Sequence, residues 1–295
     1  MLVKLKMNIN ILVDGSYLCF FRYYALKRWW SFSKSSDPLT DSPCENELFV
    51  EKYIDLLKKN IKDIEKTCID MEIKRTTWGD PYSKEKVPRT KRKEVNVTVY
   101  IAKDCPQNDI WRMALLPMYK GTRSTETCND ISKFFELAYK HVFVENVLSC
   151  DHLEADDCVA LFVKRQNKKE KMFHYVITSD ADYMQLKKYK NVHIMDTHYK
   201  DITKRKDAYE DPECNLFSKI VIGDKSDNIP PIMNKLGKKT ALRYFDHPED
   251  FDVLLQEKPL VAKQYQLNKL LIDFESIPTN LQNDFYSKYE QLFVE

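Results

Sequence analysis

The apolar positions along the chain alternate between short runs and longer stretches with helical spacing. Short apolar or β-branched runs indicate buried strands, and they occupy residues 8–13, 95–101, 143–148, 173–178 and 191–195. Apolar residues at steps of three and four indicate amphipathic helices, and they occupy residues 17–28, 43–68, 129–141 and 153–164. Strands that alternate with helices predict an α/β fold with a mainly parallel central sheet flanked by helices.

The second predicted helix interrupts this alternation and lies in an insert at about residues 27–94. Ser42 is its expected N-cap, Pro43 its first residue and Glu45 its capping-box partner, and the apolar spacing ends near Cys68. Residues 74–93 then carry eight Lys or Arg against two acidic residues, a net charge of +6. We expect a solvated hairpin or loose loop there, with nucleic-acid contact as the alternative.

Beyond residue 211 the strand signals stop, and the chain has helical spacing to its end. This change predicts two parts, an α/β core at residues 1–205 and a helical region at residues 206–295.

Composition excludes several classes of protein. The chain has 295 residues, of which 43% are hydrophobic and 31% charged, which argues against a disordered or membrane-embedded protein. Its eight cysteines form no Cys-x-x-Cys pair, and we expect reduced thiols in an intracellular protein of the cytoplasm or nucleus, neither secreted nor bound to a membrane. The net charge of +2 leaves a nucleic-acid partner open, because charge can be segregated by face.

Acidic residues follow three of the predicted strands. Asp14 ends the first strand, Asp104 follows the second, and Asp180 and Asp182 follow the strand at 173–178. Because the carboxyl ends of parallel strands share one edge of a sheet, we expect these side chains to converge. Asp180 and Asp182 are two residues apart, so in extended chain they would face the same way.

A further acidic group opens the helix at 153–164. Glu154, Asp156 and Asp157 fall within one arc of about 160° around the helix, and the apolar residues fall on the opposite side. Carboxylates crowded in this way repel each other and require cations. Ligands that are all oxygen select a hard ion such as Mg²⁺ or Mn²⁺, and two such ions about 4 Å apart usually hydrolyse phosphodiesters.

Basic motifs accompany the acidic ones. Lys120 and Arg123 flank Gly121, and residues 222–242 resemble a helix–hairpin–helix whose N–H groups and lysines grip phosphates. Four of the five glycines, at positions 15, 121, 223 and 237, lie in these acidic and basic motifs. A chain that otherwise avoids glycine places it where tight turns are needed.

Five strings occur in the order seen in the 5′-nuclease family of flap endonucleases, phage 5′-exonucleases and bacterial polymerase 5′-nuclease domains. They are ILVDGS at 11–16, LPMYKGTR at 116–123, EADD at 154–157, TSDADYMQL at 178–186 and GDKSDNIP at 223–230. The chain resembles this family over roughly residues 8–246. The resemblance implies a PIN-like core with a short helical arch at about 117–130 and a helix–hairpin–helix at about 224–245.

The resemblance also implies roles for individual residues. The first metal ion would be held by Asp14, Asp104, Glu154, Asp156 and Asp157, and the second would be held or oriented by Asp180, Asp182, Asp224 and Asp227. Lys120 and Arg123 would act on the scissile phosphate as catalytic residues. DNA would be contacted by Tyr119, Lys120, Arg123, Lys235, Gly237, Lys238, Lys239 and Thr240.

The implied activity is that of a hydrolase acting on ester bonds, a 5′–3′ exodeoxyribonuclease or flap endonuclease with two Mg²⁺ ions that Mn²⁺ can replace. Its partners would be DNA with 5′ ends, flaps or nicks, or an RNA–DNA hybrid, bound by a monomer in replication, repair or recombination. Lys235 stands where the family has glycine, which counts against the K⁺ site that some members build at the hairpin. Two alternatives remain open here, a non-catalytic DNA-binding protein and a PIN-type ribonuclease.

Overall fold

A parallel sheet forms the centre of the fold. The computed structural model describes residues 7–33, 39–121, 128–167, 169 and 172–293. Its five strands are all parallel in the order β3-β2-β1-β4-β5. They are β1 (Met7–Asp14), β2 (Val95–Ala102), β3 (Val147–Leu148), β4 (Met172–Ile177) and β5 (Val192–Met195). The predicted α/β fold class with a mainly parallel sheet is therefore confirmed.

Helices cover the sheet and continue to the end of the described chain. The first five are α1 (Gly15–Ser33), α2 (Glu47–Trp78), α3 (Arg89–Arg92), α4 (Cys128–His141) and α5 (Ala155–Gln166). The others are α6 (Pro212–Ile222), α7 (Lys238–Asp246), α8 (Pro248–Glu257), α9 (Pro259–Ile272), α10 (Thr279–Lys288) and α11 (Glu290–Phe293). Within the described residues, no helix combines the length and apolar character that crossing a membrane requires.

The sheet separates two hydrophobic cores, because successive residues of β1 face opposite sides. Ile11 and Val13 pack with residues of α1, α2 and α4, among them the fully buried Phe134. Leu12 packs on the other side with α5 and with Phe285 of α10. Strand β1 is therefore covered on both faces, and it carries Asp14 at its carboxyl end.

The insert differs from its predicted form at both ends. Residues Pro43–Glu45 form a separate 3₁₀ turn, and α2 begins at Glu47 with Asn46 as its N-cap, whose side chain accepts from the Phe49 N–H. The helix ends at Trp78 rather than near Cys68. Gly79 terminates it in the left-handed region at φ 74°. The predicted N-cap and end of this helix were therefore wrong.

Only the middle of residues 74–93 is the predicted loop, because residues 79–88 form neither helix nor strand. The first residues of the segment complete α2, and α3 follows before β2 begins. The Lys74 ammonium donates to the Ser83 carbonyl at 2.6 Å, and the Arg92 guanidinium pairs with Asp70 at 2.5 and 2.7 Å. These contacts fold the basic segment back on the last turns of α2.

The third strand is also shorter than predicted. It contains only Val147 and Leu148, which pair with the end of β2, although Phe143 is buried as an apolar residue of that run. In the C-terminal region, α6 to α9 share a core of their own around Phe251, whereas α10 packs back on α5. The division of the chain at residue 205 stays a prediction.

Gly15 is required by close packing, which gives a test of the fold. A Cβ atom at this position would lie 2.3 Å from the Tyr139 hydroxyl and 2.7 Å from the Ala102 carbonyl. We expect Gly15→Ala to lower the free energy of unfolding by about 1–3 kcal/mol, because the added methyl overpacks the site. Denaturant titration followed by circular dichroism measures the loss.

Gly237→Ala is the matched control. No described atom lies within 4 Å of a Cβ there, and its φ of −116° suits any residue. Its expected cost is below about 1 kcal/mol, from the weaker N-cap that alanine makes. Equal losses in the two variants would contradict the packing argument.

Candidate metal centre and nucleic-acid interface

The carboxyl ends of β1, β2 and β4 bring the strand-end aspartates to one edge. In the β1–β2 pair, Asp14 lies opposite Ala102, and Ala102 is two residues before Asp104. In the β1–β4 pair, Val13 lies opposite Ile177, and Ile177 is three residues before Asp180. The sequence-based expectation that these strand ends share an edge is met by this register. The extended conformation predicted for Asp180 and Asp182 is wrong, because a 3₁₀ helix (Ala181–Lys188) begins after Asp180. Asp180 is its N-cap and accepts from the Asp182 N–H.

Asp14 is the most constrained of these side chains. One carboxylate oxygen accepts from the Tyr17 N–H at 2.9 Å, and the other lies 3.2 Å from the Thr178 hydroxyl. Burial and the like charges of Asp104 and Asp180 raise the pKa of Asp14 to about 7. No Lys or Arg among the described residues forms an ion pair with this carboxylate.

Asp104 joins the starts of two helices. Its carboxylate accepts from the Ser16 hydroxyl at 2.6 Å and from the Ala155 N–H at 2.9 Å. Ser16 belongs to the first turn of α1 and Ala155 to the first turn of α5, where helix dipoles favour negative charge. Asp104 thus lies between Asp14 and the acidic residues of α5.

The start of α5 supplies three carboxylates with oxygens within 4.8 Å of one another, from Glu154, Asp156 and Asp157. Glu154 is the N-cap of the helix, and its side chain and that of Asp157 form the two halves of a capping box. Burial and the charges of Asp157 and Glu154 raise the pKa of Asp156 well above its usual range. The three acidic residues that were predicted to share one arc do bring oxygens together, and two of them, Glu154 and Asp157, are buried.

Arg112 is the residue that sequence reasoning missed. Its guanidinium is only 2% exposed and pairs with Asp157 through two 2.7 Å contacts and with Glu154 at 2.8 Å. It also donates to the Leu271 carbonyl of α9 at 2.7 Å. Arg112 lies shortly before the string at 116–123, but nothing local distinguishes it from an ordinary surface arginine.

Asp157 is also held by protein donors. Both of its oxygens accept from Arg112, and one also accepts from the Trp111 indole at 3.0 Å. Its oxygens remain close to those of Glu154 and Asp156, but protein donors already occupy them. Asp156 forms no ion pair with a described Lys or Arg, so it is the more available ligand.

A second group of three carboxylates lies beside the first. Asp182, Asp224 and Asp227 bring oxygens within 4.8 Å of one another. The Lys219 ammonium of α6 pairs with Asp182 and lies 2.7 Å from the Asp224 carboxylate. Burial alone would raise the pKa of Asp224, but the Lys219 charge lowers it to about 2. Lys219 was not predicted either.

Tyr119 and Lys120 connect the two groups. The Tyr119 hydroxyl lies 3.0 Å from Glu154 and 3.3 Å from Asp227, and it can donate to one of them at a time. Lys120 donates its main-chain N–H to the Asp227 carbonyl at 3.0 Å, and its ammonium pairs with Glu154. The predicted DNA contact of Tyr119 requires correction, because its side chain is only 3% exposed and positions carboxylates instead.

Arg123, the second predicted catalytic residue, lies outside the described residues, as do residues 122–127 of the predicted arch at 117–130. Lys120 adopts a left-handed backbone at φ 55°, directly before Gly121. The main chain of the basic motif is thus fixed on Asp227, and the Lys120 side chain extends to the α5 carboxylates.

The segment between α6 and α7 contains the predicted hairpin. Gly223 turns at φ 78°, and a Cβ there would lie 2.5 Å from the Ile229 carbonyl. Lys235 has φ 60°, so it adopts the left-handed conformation that favours the glycine of the family pattern. Lys238, Lys239 and Thr240 open α7, and Gly237 is its N-cap.

Comparisons with known proteins agree with this arrangement. Residues 86–213 match the model of the 5′-3′ exonuclease N-terminal resolvase-like domain. The chain is 28% identical over 210 residues to ribonuclease H of Enterobacteria phage T4, covering 63% of this chain and 67% of that protein. It is 27% identical over 190 residues to a 5′-3′ exonuclease of Halalkalibacterium halodurans, covering 61% and 62% of the two.

Solved structures give the same fold over nearly the whole chain. The bacteriophage T5 flap endonuclease, in a pseudo-enzyme–product complex with DNA and metal ions, has a TM-score of 0.59 at 15% identity and covers 97% of this chain and 99% of that one. The T5 5′-exonuclease with zinc ions bound has the same score and identity and covers 97% and 100%.

The parallel sheet with acidic side chains at its carboxyl edge shares the fold of these solved structures. Within this fold, the match at residues 86–213 and the two relatives at 28% and 27% identity make the chain similar to proteins of the 5′-nuclease family. The predicted resemblance to that family and the predicted nuclease class of enzyme are confirmed.

Arg112 provides a test of the electrostatic arrangement. We expect Arg112→Met to lower the free energy of unfolding by about 3–5 kcal/mol, because it leaves Asp157 and Glu154 buried without their cation. Adding Asp157→Asn should recover part of that loss. Denaturant titrations of the single and double variants measure the coupling.

Lys164→Met is the matched control, because it breaks an ion pair with Glu275 in which both side chains are more than a third exposed. Its cost should stay below about 1 kcal/mol. An Arg112→Met variant as stable as this control would refute the assigned role of Arg112.

Proposed function

We propose that the chain is a divalent-metal-dependent, structure-specific 5′ nuclease that hydrolyses DNA phosphodiesters at 5′ ends, flaps or nicks. Mg²⁺ is the proposed natural ion, and Mn²⁺ is a substitute. The observation that carries the proposal is the pair of carboxylate groups at one sheet edge, connected through Tyr119. Its place would be in DNA replication, repair or recombination, acting as a monomer.

The donor set fits hard divalent ions. All candidate ligands are carboxylate oxygens, which Mg²⁺ and Mn²⁺ prefer. Asp14, Asp104 and Asp156 form no ion pair with a Lys or Arg in the part of the chain that the structure describes. Burial and the neighbouring charges of Asp104 and Asp180 destabilise the ionised form of Asp14 and raise its pKa.

Two sets of residues would hold the ions. Asp14, Asp104, Glu154 and Asp156, supported by Asp157, form the first set. Asp180, Asp182, Asp224 and Asp227 form the second. When bound, a pair of divalent ions supplies acidified water and neutralises charge on the reacting phosphate.

The chain's own residues prepare the site for a phosphate. Arg112 holds Asp157 and Glu154 in place, and Tyr119 holds Glu154 against Asp227. We assign Lys120 to the scissile phosphate, because its main chain is anchored while its ammonium lies at the rim of the carboxylates. Arg123 is assigned to the same phosphate through the family motif.

The duplex would lie across the start of α7. We propose that Lys235, Gly237, Lys238, Lys239 and Thr240 form the hairpin contact to the DNA backbone. The exposed main-chain N–H groups of a helix N-terminus and the lysines beside it bind phosphates without reading bases. The T5 flap endonuclease structure with DNA and metal ions supports this class of ligand.

The phage T4 relative is named ribonuclease H, which supports a second candidate, cleavage of the RNA strand in an RNA–DNA hybrid. The two candidates share the metal centre and differ in the strand that it accepts. Matched DNA and RNA 5′-flap substrates of one sequence separate them.

A variant of Asp14 tests the proposed activity. We expect Asp14→Asn to reduce cleavage of a labelled 5′-flap duplex in Mg²⁺ by about 100-fold or more, because an electrostatic ligand of the reaction is lost. Its affinity for the same DNA, measured in EDTA by fluorescence anisotropy, should change less than threefold. Product mapping should show a 5′-phosphate and a 3′-hydroxyl.

Asp151→Asn is the control, because Asp151 is an exposed acid near α5 with no described side-chain partner. It should cleave at the wild-type rate. Binding of the flap without any product in Mg²⁺ or Mn²⁺ would favour the non-catalytic DNA-binding protein.

Lys219 tests the second metal site by stability rather than by activity. In EDTA, Lys219→Met should lose roughly 3 kcal/mol, because Asp182 and Asp224 lose the cation between them. Mg²⁺ or Mn²⁺ should then raise the melting temperature of the variant by more than it raises that of the wild type. An equal rise in the two proteins would argue against an ion between these carboxylates.

A further inference from the structure

The basic segment at residues 74–93 has no role in the metal centre. Its net charge of +6 exceeds the +2 of the whole chain, so the rest of the chain is net negative. Charge concentrated in this way on one segment is the electrostatic mark of a polyanion-binding surface.

The segment has a fixed scaffold. Gly79 caps α2, the Asp80 carboxylate accepts from the Tyr82 N–H at 2.9 Å, and Val87 is buried in the core beside α2. The Arg92–Asp70 pair closes its far end. Its side chains therefore leave the protein at set positions, unlike those of a loose loop.

Half of its cations are available to a partner. Lys84, Lys86, Arg89 and Lys93 are exposed, and their side chains make no hydrogen bond or ion pair with other described residues. Two large aromatic side chains accompany them, Trp78 at 40% and Tyr82 at 52% exposure. The Lys91 ammonium lies 5.8 Å from the Trp78 ring. We call Trp78, Tyr82, Lys84, Lys86, Arg89 and Lys93 the basic patch.

The Lys93 end of the basic patch is remote from the metal centre, because Lys93 lies two residues before β2 and Asp104 lies two residues after it. At the other end, the Tyr82 hydroxyl lies 3.4 Å from the Tyr199 carbonyl, beyond the end of β5. The eight residues of β2 span roughly 26 Å at 3.3 Å per residue. At about 3.4 Å per base pair, a duplex reaching from the carboxylates to the patch needs on the order of eight base pairs.

We propose that the basic patch is a second binding surface for the phosphate backbone of a nucleic-acid duplex, engaged only by a duplex arm long enough to reach it. The inference rests on the proposed function for the orientation of the substrate. Four cations on one short segment, with no described side-chain partner, match a polymer that carries a charge every 1.7 Å or so. A surface of this kind adds affinity without sequence preference.

The test is a salt series on duplexes with arms of 6 and 20 base pairs, measured by fluorescence anisotropy in EDTA. The variant combines Lys84→Ala, Lys86→Ala, Arg89→Ala and Lys93→Ala in the full chain. On the long arm, the slope of log K against log salt should become shallower by about 3–4, at roughly 0.9 per lost phosphate contact. On the short arm the slope should not change.

The control removes four exposed lysines from the first half of α2, with Lys52→Ala, Lys58→Ala, Lys59→Ala and Lys62→Ala. Residues 47–66 hold five lysines and five acidic residues, so this surface carries no net charge. The control should bind both arms with the wild-type slope. Circular dichroism melts confirm that both variants are folded.

An unchanged slope on the long arm, or the same change on both arms or in the control, would overturn the proposal. Flap cleavage in Mg²⁺ is measured separately on the short-arm substrate, where the patch variant should match the wild type. If neither protein cleaves while the long-arm slope still falls, the proposed nuclease function fails and the duplex surface stands.

Discussion

Repulsion among carboxylates at the carboxyl edge of the sheet is the constraint on which the rest of the structure depends. Like charges a few ångströms apart in a poorly solvated edge destabilise each other by about 1 kcal/mol per pair at water's dielectric, and by several times more when partly buried. The fold answers with Arg112, Lys120 and Lys219, which pair with the outer members of the set. Asp14, at the centre, pairs with no Lys or Arg of the described residues, and burial together with the charges of Asp104 and Asp180 raises its pKa.

These three cations come from separate parts of the chain, so the metal centre is also a joint between the core and the C-terminal helices. Lys219 lies on α6, and Arg112 binds the Leu271 carbonyl of α9 as well as the acids of α5. Tyr119 lies between Glu154 and Asp227. The helices after β5 therefore complete the carboxylate edge, because they supply Lys219 and the Leu271 carbonyl that Arg112 contacts.

The hydrophobic periodicity predicted the strands and the acidic residues that follow them, because both are visible as local patterns of neighbouring residues. Arg112 pairs with a residue 45 positions away, and Lys219 with one 37 positions away, so neither ion pair leaves a local pattern. The same limit explains Tyr119, whose burial depends on α6 and α9 in addition to its own segment. The end of α2 was missed because its last turns pack by Met71 and Ile73 on the sheet, while charged residues obscure the apolar spacing.

Net charge near zero hides a strong separation of charge in this molecule. The sheet edge is acidic, while the start of α7 and the segment at 74–93 are basic. Nine carboxylates repel an approaching polyanion unless nearby cations compensate their charge. At 0.1 M salt these interactions act over about 10 Å, beyond which the salt screens them. The protein's own ion pairs reduce the acidic field before any divalent ion arrives. The basic surfaces then have less repulsion to overcome, which is physically consistent with a nucleic-acid ligand.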